Sequence, residues 1–154
     1  MGYGVEVNVV GFDELHRKLA QTDRKARKRA IVSGLRAAAK PMRAEARNNA
    51  PRDTGLLRQS IDTKIVTRTE HATGAVIIGP SKSVAGKMAD RIRAKAGPRA
   101  ANRQPANYAH LVEGGTVKGV RATRFLERAF KTTVGRSYRN MAAAVWATIS
   151  AGGA

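Results

Sequence analysis

The chain has 154 residues, with 29 Lys and Arg against 11 Asp and Glu, a formal net charge of +18, and no cysteine. The missing cysteines exclude disulfides, thiolate catalysis and cysteine-ligated zinc, and no apolar run nears the ~20 residues that a membrane-spanning helix requires. The charge points to nucleic acid, an anionic membrane or acidic protein surfaces as neighbours, and aromatics at 5% beside abundant alanine predict a thin core that neighbouring subunits help to stabilise.

Length suits a single domain over residues 1–154. Val5, Val7 and Val9 alternate with Glu6 and Asn8, which predicts a strand over 4–10. The start of the chain lacks the basic and apolar runs of a signal peptide, so a cytoplasmic origin is expected. Helical periodicity covers 12–49: first a short segment with Phe12, Leu15 and Leu19, then, after an N-cap at Thr22-Asp23, a long one. Its apolar stripe is Ala26, Ala30, Ile31, Leu35, Ala38, Met42 and Ala46. Arg24, Lys25, Arg27, Lys28, Arg29, Arg36, Lys40, Arg43 and Arg47 make it basic elsewhere. Pro41 predicts a kink or break near Ala37. Pro51 ends the helix, and Arg52 to Gly55 makes a tight turn.

A hairpin is predicted over 59–79, with Ile61, Ile65 and Val66 on its first strand and a turn at His71 to Gly74. Residues 81–107 combine small residues with Lys82, Lys87, Arg91, Arg93, Lys95, Arg99 and Arg103, which predicts a mobile basic loop or arm. After a short apolar segment at Tyr108 to Val112, a C-terminal helix is predicted over 123–150. Its apolar face holds Phe125, Leu126, Ala129, Phe130, Val134, Met141, Val145, Trp146 and Ile149. The expected class is α+β: a small antiparallel sheet packed against a long N-terminal and a long C-terminal helix.

Catalytic chemistry finds little footing. Asp53-Thr54-Gly55 matches the tripeptide of aspartic proteases, but there the motif follows an apolar strand and works as a pair, whereas here it follows Pro51-Arg52 at a helix end. His16, His71 and His110 are scattered, with no second ligand at metal-binding spacing. The glycine-rich stretch Glu113-Gly114-Gly115-Thr116 lacks the lysine of a phosphate loop. No catalytic residue, metal or cofactor is assigned, and the chain is expected not to be an enzyme. The basic helix reads equally as a phosphate-contacting or as a solvated face. With so few aromatics beside it, any nucleic-acid contact would be electrostatic and without sequence preference.

Three stretches in order carry a resemblance: Ala50 to Ile61 (APRDTGLLRQSI), Tyr108 to Thr116 (YAHLVEGGT) and Ala122 to Phe130 (ATRFLERAF). Together they resemble the gene-10-product family of Hong Kong-97-type phages, the head–tail joining or tail-completion proteins of long-tailed bacteriophages. The resemblance runs from about Phe12 into the last helix. It implies structural roles for Pro51, Asp53, Thr54, Gly55, Leu57, Tyr108, Glu113, Gly115, Thr116, Phe125 and Leu126. Each stretch also has a local reason: the turn after Pro51 stops the helix and sets the register of the next strand, Glu113 sits at a backbone turn where it can pair with an arginine of the same or an adjacent subunit, and Phe125 and Leu126 anchor the final helix onto the sheet. Two positions depart from the family pattern. Gly114 stands where an aromatic is usual and Arg124 where a proline is usual, which implies a lost core contact and a softer helix start.

The resemblance further implies a virion protein at the head–tail junction. It would form a ring, expected to be a hexamer, around the DNA exit channel. Its partners would be an adaptor or head-completion ring and a tail terminator or tube protein, with no membrane. The basic residues of 81–107 would face DNA or an acidic neighbouring ring. A tail terminator capping the tube, and a free DNA-binding protein without sequence preference, are the competing readings.

Overall fold

The computed structural model describes residues 12–21, 23–52, 55–68, 73–81, 94, 105–119 and 121–151. The strand expected at 4–10 and the basic positions Lys82, Lys87, Arg91, Arg93, Lys95, Arg99 and Arg103 lie outside the described residues. Within them the order is α1 (Phe12–Gln21), α2 (Arg24–Asn49), α3 (Leu56–Ser60), β1 (Ile61–Arg68), β2 (Thr73–Pro80), α4 (Pro105–Gly114) and α5 (Phe125–Ala151). β1 and β2 form a two-stranded antiparallel sheet, flanked in chain order by a long N-terminal and a long C-terminal helix, an α+β fold.

Local chemistry explains most boundaries. Asp13 and Glu14 occupy the first turn of α1 and Lys18 its last, each favoured by the helix dipole, with Glu14 and Lys18 3.7 Å apart. The Asp23 carboxylate accepts the Lys25 amide at 3.0 Å, so the expected N-cap of α2 is in place. α2 then runs unbroken through Ala37 and Pro41, so of the kink or break that the sequence predicts near Ala37 the break does not occur. Proline removes an amide donor and its ring crowds the carbonyl of the preceding turn, a cost that burial of Ala39 and Ala46 on either side offsets.

Other boundaries differ from expectation. The turn after Pro51 leads into the short helix α3, whose preceding Gly55 has φ 78°. Residues 105–107, expected in the basic loop, instead open α4: Pro105 is buried at the first helical position, where its missing amide costs nothing. α4 ends at Gly114, and Gly115 follows with φ 76°, the left-handed conformation that closes many helices.

The strand alternates as period two demands. Ile61 is buried and Thr63, Ile65 and Thr67 are half-buried, whereas Asp62, Lys64, Val66 and Arg68 face out. Adjacent Ile65 and Val66 cannot share a face, so Val66 is 43% exposed rather than part of the core. The same logic applies to α5. Neighbours on a helix point about 100° apart, and Phe130 and Trp146, assigned by periodicity to the apolar face, are exposed beside the buried Ala129 and Val145.

The chain divides into two compact units. In the first (Met1–Lys40, Ile65–Val76, Val134–Ala154), Ala30 and Val145 form a small core joined by Met141 and Ile149. Lys18 Nζ stands 4.1 Å from the centre of the Trp146 ring, a cation–π contact that tethers α1 to α5. α2 and α5 touch closely at Gly34, where a Cβ would collide with Val145 Cγ2 and lie 3.3 Å from the Met141 carbonyl oxygen. Helix propensity alone predicts that Gly34→Ala stabilises by about 1 kcal/mol. Overpacking predicts the opposite sign, and a net loss of about 1–2 kcal/mol in denaturant unfolding is expected; a gain would mean that this contact is loose.

In the second unit (Pro41–Lys64, Ile77–Thr133), the core comprises Ala46, Ala50, Leu57, Ile61, Ala109, Phe125 and Ala129, with Ile78, Tyr108, Val112 and Leu126 packed against it. Nearly half of all the buried apolar side chains described are alanines, as the composition implied. Alanine lets helices approach closely but contributes little area.

Candidate functional site

The three sequence stretches meet in this second core, although residues 62–107 separate the first from the second. Ala50, Leu57 and Ile61 come from the first stretch, Tyr108, Ala109 and Val112 from the second, and Phe125, Leu126 and Ala129 from the third. Phe125 and Ile61 are fully buried, and α3 packs on α4.

Polar contacts fasten the same junction. Glu113 Oε2 accepts the Leu126 amide and Oε1 the Glu127 amide, each at 3.1 Å. The first amides of a helix have no partner within it, so the carboxylate at the end of α4 caps α5 from a distance and meets the positive end of its dipole. The sequence offers an arginine of the same or an adjacent subunit as a partner for Glu113; within this chain the carboxylate takes these two backbone amides. Beside it the Thr123 amide and hydroxyl both donate to the Val112 carbonyl, at 3.0 and 2.8 Å, and the Arg124 amide donates to the Glu113 carbonyl at 3.1 Å.

This clasp also revises the two departures from the family pattern. Arg124 has φ 47°, a conformation closed to proline, whose ring fixes φ near −65°. The start of α5 is therefore set by Glu113, not by a ring-restricted residue. A Cβ added at Gly114 meets no atom within 4 Å, so the position has open space around it and the residue is exposed.

A second fastening was not legible in the sequence. Arg58, on α3, donates from Nε to the Arg47 carbonyl at 2.6 Å and from a terminal nitrogen to the Asn48 carbonyl at 2.8 Å. A cation there satisfies carbonyls that the end of α2 leaves open. Arg47 in turn donates two bonds to the Ile61 carbonyl, at 3.1 and 2.8 Å. Arg43 pairs with Asp62 at 3.1 Å. The buried Ser60 hydroxyl donates to the Leu57 carbonyl, and the Ser81 amide to the Ser60 carbonyl, at 2.7 and 2.8 Å.

Of the residues singled out in the sequence, Leu57, Tyr108, Phe125 and Leu126 are thus brought together in the core, and Glu113 at its edge. Gly55 and Gly115 hold positive φ, Pro51 is half-buried after α2, and the Thr116 carbonyl accepts the Gly119 amide in the following turn. Asp53 and Thr54 lie outside the described residues. Glu127 lies beside the clasp, and its carboxyl is held below its ordinary value by the hydrogen bond from Lys131 and that residue's charge. Desolvation opposes the shift, and Arg124 adds to it. Among the described residues no group of three His, Asp or Glu side chains could hold a metal ion, and no helix is long and apolar enough to cross a membrane.

The family model described as "Bacteriophage HK97-gp10, putative tail-component" matches residues 13–115, about two thirds of the chain. The chain belongs to this family. As a gp10-like protein it is a structural phage protein of the tail-component class, a constituent of the virion. The matched span takes in the first motif stretch and all but the last residue of the second, and ends before the third, which the Glu113 clasp joins to the second. No curated protein and no solved structure matches the chain.

The basic face of α2 divides into two kinds of residue. Arg43 and Arg47 are tied to β1, and Arg27 donates to the Ala20 carbonyl at 2.8 Å. Lys25, Lys28, Arg29 and Arg36 instead line a surface groove of about 550 Å³ together with Val32 and Ser33.

Proposed function

We propose that this gp10-like protein is a subunit of a ring in the virion neck, which joins the DNA-filled head to the tail and surrounds the channel through which DNA leaves. The observation that carries the reading is family membership over residues 13–115. The junction of the three motif stretches supports it, because it supplies one packed core that can be presented in identical copies. Head-to-tail contacts between such copies close a ring when the rotation completes a circle, and a hexamer is the expected count. The rings above and below, an adaptor or head-completion protein and a tail terminator or tube protein, are the natural partners of such a ring. A formal charge of +18 suits a position beside DNA or an acidic neighbour. The chemistry of the reading is binding without turnover.

The decisive experiment is a stop codon in this gene, followed by electron microscopy of the lysate. Filled heads and separate, normal-length tails are expected. Overlong tails would place the protein at the tail tube as its terminator instead. Normal infectious virions would overturn the neck assignment.

A further inference from the structure

We infer that the outer stripe of α2 is a docking surface for the phosphate backbone of duplex DNA, a site separate from the basic segment over 81–107. The inference rests on the neck reading for its setting, but its geometry stands by itself. Lys25, Lys28, Arg29, Arg36 and Lys40 are all exposed and recur at helical spacing along one side of α2. Among the described residues no hydrogen bond or ion pair engages any of these five side chains. The nearest acids along the chain are Asp23, whose carboxylate accepts the Lys25 amide, and Glu45, five residues beyond Lys40 and on the opposite side of the helix. These cations therefore face solvent unneutralised, unlike Arg43 and Arg47 on the same helix.

The spacing within the stripe favours DNA over an acidic protein. The cations fall into two groups, Lys25 with Lys28 and Arg29, and Arg36 with Lys40, separated by the small, half-buried Val32 and Ser33. Lys28 and Arg36 are eight residues apart, about 12 Å along a helix at 1.5 Å per residue. The major groove of B-form DNA is about 12 Å wide. A helix laid across it would place one cationic group on each wall of phosphates, with the uncharged middle over the groove. An acidic protein surface has no such fixed spacing to match. The stripe contains no aromatic, amide or carboxylate side chain, and in this pose its arginines lie over the phosphate walls rather than the groove floor, so binding there would rest on phosphate contacts and carry no sequence preference.

The test is a titration of the purified full-length chain against a short fluorescent duplex of random sequence, followed by anisotropy over a range of salt concentrations. Removing one cation that touches a phosphate lowers the salt slope by about 1, so Lys25→Gln, Lys28→Gln, Arg29→Gln and Arg36→Gln combined should lower it by about 4. A charge-matched control, Lys64→Gln, Arg68→Gln, Lys118→Gln and Arg121→Gln, removes exposed cations elsewhere and should change the slope by less than about 1. Circular dichroism of both variants confirms that each is folded. Equal slopes in the two variants would overturn the inference. So would unchanged DNA binding together with abolished binding of polyglutamate, which would assign the stripe to an acidic protein partner. The stop-codon experiment reads the neck role separately: normal virions would remove that role and leave the titration to decide the stripe.

Discussion

Phe125→Ala is expected to destabilise the protein by about 4 kcal/mol, within the ~3–5 kcal/mol range for emptying a buried aromatic site. Phe125 is fully buried at the first position of α5, against a core whose members include Ala46, Ala50, Ala109 and Ala129. The cost depends on how far the surroundings can collapse into the cavity. Alanines have no side-chain torsion with which to lean inward, so relaxation is poor and the loss falls toward the upper part of the range. Urea unfolding followed by circular dichroism measures it. Phe125→Leu retains most of the volume and should cost clearly less, about 1–2 kcal/mol. A loss below about 1 kcal/mol for the alanine variant would show that the ring is not at the centre of the core.

Glu113→Ala is expected to cost about 2–3 kcal/mol, because a charged acceptor is removed from two amides that have no partner within their own helix. The effect exceeds that of an ordinary N-cap, worth ~1 kcal/mol. One carboxylate here serves two donors, and it also links the end of α4 to the start of α5. Glu113→Gln keeps one acceptor and gives up the charge, and should fall between the two. Hydrogen exchange supplies the specific readout: the Leu126 and Glu127 amides should lose protection first in the variant. Unchanged protection at both amides, with unchanged stability, would mean that the clasp does not hold α5.

Much of the architecture was legible in the residues because it depends on local chemistry. The N-cap at Asp23, the α2 termination before Pro51, the hairpin that separates two long helices and the amphipathic period of α5 each follow from spacings within one or two turns of chain. Misreadings arose where two local rules met and only packing could choose between them. Pro41 argued for a break, yet α2 is kept by the buried alanines around it. Phe130 and Trp146 are apolar and adjacent to Ala129 and Val145, and packing around α5 buries the smaller neighbour of each pair.

By itself, the sequence determined the charge, the alanine-rich thin core, the α+β class and the three motif stretches that mark the family. The tertiary structure alone decided what those stretches do for one another. Glu113 caps a helix that starts twelve residues later, and Arg58 closes a helix that ended nine residues earlier. Such partners are chosen by proximity in space, which no local pattern encodes. The same holds for the cations of α2. In the sequence they form one basic run. The fold ties Arg43 and Arg47 to β1 and leaves Lys25, Lys28, Arg29 and Arg36 facing water, because a charge is neutralised only where the folded chain brings an acceptor within reach.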